Sequence, residues 1–206
     1  MNSGMILTKL LSLPGIILGL SFHEFAHAWV ADKLGDPTPR REGRVTVNPL
    51  AHIDWIGFLA LLLVGFGWGK PVMIDPRYFK NRRRDEFLVA IAGVTMNLIL
   101  AVIISIPVRL MMKHYAASMP SDLMYSIFQI LYYAVTINVV LMVFNLLPVP
   151  PLDGWNIITQ LFKLDQYDWW YKVYQYGTYI LLALIIFNVT DLVLTPLVNM
   201  VMKLLL

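Results

Sequence analysis

Cysteine is absent from the 206 residues. Disulfides, iron–sulfur clusters and thiolate zinc sites are therefore excluded, and any metal must be held by His, Asp or Glu. Charge is scarce as well: Asp, Glu, Lys and Arg make up 14% of the chain, against roughly a quarter in soluble domains. Internal repeats and low-complexity tracts are also missing, and the loops are too short to hold an extra soluble domain. What is abundant is apolar surface, with 58% of residues hydrophobic. That balance excludes an ordinary soluble globule and a disordered chain, and it predicts an all-α polytopic membrane protein. The net charge of +3 is uneven, since ten of the sixteen basic residues fall between Lys33 and Arg84. This reads as a basic face beside a lipid bilayer, and no nucleic-acid partner is expected.

A span needs about 20 apolar residues. Candidates are Met5 to Val30, Phe87 to Val108, Leu123 to Leu147 and Val173 to Asn188. Asp191 and Pro196 interrupt the tail, so Leu192 to Leu206 is either a kinked continuation or a short extra helix. Four to five transmembrane helices are thus expected. Lys9 and the apolar run after it imitate a signal peptide, but no small-residue cleavage site follows, so the segment reads as retained. Trp55 to Trp68 is apolar yet too short to cross, and it is bounded by Gly65, Gly67 and Gly69. With Val45-Thr46-Val47 before it and Pro71-Val72-Met73-Ile74 after it, it predicts a re-entrant or β-hairpin segment near residues 45–74. The positive-inside rule puts 32–85 in the cytoplasm, because the opposite loop 109–122 carries only Arg109 and Lys113. The His-bearing end of the first span and the stretch Asn145 to Asp153 then lie at one depth on one face.

His23-Glu24-Phe25-Ala26-His27 is H-E-x-x-H. On a helix the two imidazoles share a face, one turn apart, and can grip one zinc ion while the Glu between them reaches an activated water. Inside a span, ionisable groups cost about 2.5–3.5 kcal/mol each on insertion scales, so three together demand a compensating partner. The plainer reading is a satisfied polar cluster with no metal. A catalytic zinc has three protein ligands. His114 lies in the outer loop, on the wrong face, and His52-Ile53-Asp54 lies outside the spans. Asp153 is best placed, after the proline-broken run Asn145 to Leu152. It fits the N-cap of a helix from Gly154 as well as it fits a ligand, and the residues alone leave this open.

These motifs, with Ala92-Gly93 followed by Asn97, resemble the site-2 protease family of intramembrane zinc metalloproteases. Asn48 to Asp54 and Gly67 to Val72 are similar to it too, so the likeness runs over roughly residues 15–160. The family's middle motif is usually G-P-x-x-N; here Val94 stands in the proline's place. The resemblance implies that His23, His27 and Asp153 bind one Zn²⁺ and that Glu24 is the catalytic acid/base. It also implies that Asn97 faces the active site, positioning the substrate or its oxyanion. The implied activity is hydrolysis of transmembrane protein substrates by a zinc-activated water, in the cell (inner) membrane, with the site nearer the cytoplasm. Candidate substrate contacts are Asn145 and an edge strand, either Val45-Thr46-Val47 or Val72 to Ile74, which can pair with an unwound substrate. The whole chain, 1–206, is expected to form one metalloprotease domain, a minimal core (about 5–160) without a PDZ or CBS module, followed by C-terminal helices at about 173–206.

Two other classes use the same residues. A metal transporter or sensor would continue the polar path to the outer face, yet Phe87 to Val108 offers only Thr95, Asn97 and Ser105. An inactive scaffold would have no need of Glu24. Other features read plainly: Arg82-Arg83-Arg84 as a topology anchor, and Trp169-Trp170-Tyr171 with Tyr174 as an interfacial aromatic belt.

Overall fold

The computed structural model describes residues 3–64, 67–115 and 121–206. Helix α1 (Ser3–Lys33) is followed by the single turn α2 (Thr38–Arg41) and by α3 (Trp55–Val64). Two long helices come next, α4 (Arg82–Tyr115) and α5 (Asp122–Asn145). The chain ends with α6 (Asp153–Phe162), α7 (Asp168–Ile186) and α8 (Val189–Leu205).

Helices α1, α4 and α5 form the central wall. Val94, Ala101 and Val108 recur every seven residues along α4 and bury themselves against Val135, Val139, Met142 and Val143 of α5, a stripe of apolar residues at helical spacing. Small residues let the backbones approach. A methyl group added at Gly15 of α1 would lie 2.7 Å from the Cα of Ala134 in α5, the close packing that membrane helices use where the hydrophobic effect offers no drive. The C-terminal helix α8 leans on the same core through Leu194, Val198 and Val201.

By length and composition α4 and α5 can each cross a membrane, and α7 with α8 would make a third crossing if the bent pair is one span. The two are set at 75°, and the break falls at Asn188, whose left-handed backbone (φ 55°) is one that Asn tolerates. The expected interruption at Asp191 and Pro196 is therefore displaced: both residues lie within α8.

The expected β-hairpin near 45–74 does not form among the described residues. Only one antiparallel bridge, Ile53 to Gly69, is present, and Trp55–Val64 is a helix whose first turn is held by Gly57 N–H donating to Asp54 Oδ1 at 2.8 Å. Gly65 lies outside the described residues. The reason is hydrogen-bond competition. The carbonyl of Thr46 accepts from His52 Nε2–H (2.7 Å), and the N–H of Val72 donates to Glu24 Oε2 (3.0 Å). Pro71 has no N–H to offer. Backbone groups that a ladder would need are already engaged by side chains.

Candidate zinc centre

His23 and His27 project from one face of α1 with their rings edge to face, centroids 4.6 Å apart. Their Nε2 atoms are 3.0 Å apart, and Asp153 Oδ2 lies 3.2 Å from one and 3.3 Å from the other. Among the described residues, these three have donor atoms that converge closely enough to hold a metal. Asp153 is the first residue of α6 rather than its cap; the capping position is Leu152. The start of α6 is tucked under the end of α5, so tightly that a methyl group on Gly154 would fall 2.3 Å from the carbonyl of Leu146. That contact fixes where Asp153 can point.

Helix α4 supplies the support. His27 Nδ1 sits 2.7 Å from the carbonyl of Val89, and His23 Nδ1 sits 2.7 Å from Asn97 Oδ1. The pairing crosses over, His27 with the earlier residue and His23 with the later, so α1 and α4 run antiparallel here. Val89, Gly93 and Asn97 are spaced by four and form one stripe. Gly93, in the middle, faces the rings directly: a Cβ there would lie 2.4 Å from His27 Nε2.

The donor set fits a cation. Both acceptors on α4 require each Nδ1 to carry the proton, so each Nε2 presents a lone pair. Asp153 Oδ2 is buried with no hydrogen-bond donor. Three lone-pair atoms are thus crowded together, an arrangement that repels itself unless a positive ion lies among them. Two imidazoles and one carboxylate suit zinc.

The centre opens into a cleft of about 470 Å³ that also receives Glu24, Val72, Asn145 and Tyr174. Glu24 is therefore beside the ligands, its Oε2 fixed by Val72 N–H. Asn145 reaches the cleft, while its amide donates to Leu141 O at 3.0 Å. Asn97 takes a different place from the one expected. It is fully buried behind His23 and holds the imidazole instead of facing the cleft. Val45, Thr46 and Val47 are not brought to this cleft; Val47 lies along a separate groove with Leu10 and Pro14. Val89 escaped the sequence reading, and so did the contact of Val72 with Glu24; both act through backbone atoms, which leave no side-chain signal. Gly93 stood in the motif, but its packing against the two rings was not read from it.

A buried two-histidine, one-carboxylate metal centre with an adjacent glutamate, set among helices long enough to cross a bilayer, defines a membrane metallohydrolase. Comparison with known proteins makes the class specific. The chain matches peptidase family M50 over residues 12–188. It is 38% identical over 184 residues to the putative zinc metalloprotease YwhC of Bacillus subtilis, covering 89% of this chain and 84% of that protein. It is 29% identical over 155 residues to the putative zinc metalloprotease Rip2 of Mycolicibacterium smegmatis, covering 72% of this chain and 56% of that protein. Rip2 of Mycobacterium tuberculosis is also 29% identical, over 149 residues. No solved structure matches. The chain belongs to peptidase family M50, the site-2 protease family, and is a zinc metalloprotease.

Proposed function

We propose that this chain is an intramembrane endopeptidase that hydrolyses peptide bonds in transmembrane helices of substrate proteins, with Glu24 as the general acid/base. The observation that carries this reading is that Glu24 shares one cleft with His23, His27 and Asp153. When bound, zinc supplies a Lewis acid that polarises a carbonyl and acidifies water toward a pKa of about 7. Val72 N–H fixes Glu24 Oε2, which leaves Oε1 to take the proton of the attacking water. The same carboxyl then returns the proton to the leaving amine nitrogen. Asn97 orients His23 in this scheme and does not touch the substrate. Asn145 is a substrate contact on the cleft wall. A helical substrate hides its peptide groups in its own hydrogen bonds and must unwind before it is cut. Val72 to Ile74, which line the cleft, offer the extended edge that an unwound segment can pair with.

We place residues 32–85 in the cytoplasm and the zinc centre nearer that side of the cell membrane, on the asymmetry of basic residues. In this reading α1, α4, α5 and the α7–α8 region give four to five crossings within a single metalloprotease domain. The test is a pair of measurements on purified wild type and Glu24→Gln with a transmembrane peptide. Cleavage in the mutant is expected to fall by about 10²–10⁴-fold, with zinc content unchanged. Cleavage surviving in Glu24→Gln refutes the role of Glu24.

A further inference from the structure

Asn138 is an amide in the second half of α5, fully buried and followed by the apolar run Val139 to Phe144. It touches no zinc ligand, yet it is joined to one through a single neighbour. Its Oδ1 accepts from Asn97 Nδ2–H at 3.0 Å, and its Nδ2–H donates to the carbonyl of Ala134 at 2.8 Å. Asn97 Nδ2–H also donates to the carbonyl of Gly19 at 3.1 Å.

An asparagine side chain can sit either way round unless its surroundings distinguish nitrogen from oxygen. Ala134 O can only accept, so it draws the Asn138 nitrogen and turns the Asn138 oxygen toward Asn97. Gly19 O and Asn138 Oδ1 together claim both N–H groups of Asn97. The remaining Asn97 oxygen must then face His23 Nδ1, which forces the proton onto Nδ1 and presents the Nε2 lone pair to the metal. Reversing the Asn97 amide would set its oxygen against two acceptors at once. We infer that Asn138 is a positioning residue for the zinc centre: through Asn97 it selects the tautomer in which His23 can bind the ion. The inference rests on the zinc centre argued above and extends it to a fourth helix, α5.

The test is the zinc dissociation constant of the purified full-length chain in detergent, measured by chelator competition, which needs no substrate. Asn138→Leu is expected to weaken zinc binding by about 10-fold or more, the usual penalty for losing a support of a metal ligand. Asn138→Asp is expected to bind within about twofold of wild type, because a neutral carboxyl keeps both bonds and burial favours that form. The decisive arm is Asn138→Leu made in an Asn97→Ala background, where no further loss is expected. A residue that merely glued the helices would weaken both backgrounds by the same factor, and that result overturns the proposal, as does wild-type affinity in Asn138→Leu. If Asn138→Leu does not fold, Asn138→Ala carries the same comparison. Absence of zinc binding by wild type would instead remove the zinc centre itself.

Discussion

The helical wall and the irregular segments on either side of α3, residues 42–54 and 67–81 (together the strap), support the same cleft by opposite means. In the wall, position follows from period: His23 and His27 repeat every four residues, and so do Val89, Gly93 and Asn97 opposite them. Two rigid rods in one register set the ligands. The strap has no such period. It is pinned point by point. Arg44, 2% exposed, donates to the carbonyls of Ala51 and Lys70. Lys70 N–H donates to His52 O at 2.8 Å, and Asp75 N–H to the buried Asp36 at 2.7 Å. Between these pins, Val72 N–H reaches Glu24. The difference teaches that the imidazole pair and the Glu24 carboxylate are pinned by separable scaffolds, one periodic and one stitched.

That separation can be broken from either side. The largest effect is expected in the wall. In Gly93→Ala the new methyl would lie 2.4 Å from His27 Nε2 and 2.6 Å from His23 Cε1, and both rings are held at Nδ1, so neither can yield freely. Zinc affinity should fall by about 10–100-fold, read by chelator competition, and activity should fall with it. Wild-type affinity would show that the rings are not fixed by α4.

A smaller and differently shaped effect is expected in the strap. Arg44→Met leaves the carbonyls of Ala51 and Lys70 without the guanidinium that ties these two parts of the strap together. The strap loosens, and Glu24 loses its fixed partner. Turnover should drop by about 10-fold, the rate equivalent of about 1.4 kcal/mol, while zinc content stays at the wild-type value. Loss of zinc in this variant would join the two scaffolds into one. The smallest effect is expected at the C-terminal end of α1, away from the cleft: Asp32→Ala breaks the pair with Arg40, whose side chain is 66% exposed, so cleavage should not change and the melting temperature should move little.

Much of the wall was legible in the sequence because periodicity reports it. H-E-x-x-H placed two imidazoles on one face of a helix, whereas the residues alone left Asp153 open between ligand and N-cap and only the resemblance chose it; the structure brings the three together. The target of Asn97 was not legible. Its spacing from Gly93 placed it on the right face of α4, but only the antiparallel register to α1 decides that it meets the back of His23 instead of the cleft. The strap was misread for a physical reason. Val45 to Val47 and Pro71 to Ile74 have the composition of strands, yet sheet formation depends on unengaged backbone partners, and His52 and Glu24 occupy them. Contacts such as Arg44 to Lys70, a side chain to a carbonyl far along the chain, have no local signature at all.

The central claim is that two imidazoles from α1 and one carboxylate from the start of α6 hold a single zinc ion. Elemental analysis of the purified chain tests it most directly, comparing wild type with Asp153→Ala after identical dialysis. The account predicts one zinc per chain in wild type and little or none in the variant. Full zinc occupancy in Asp153→Ala would contradict it.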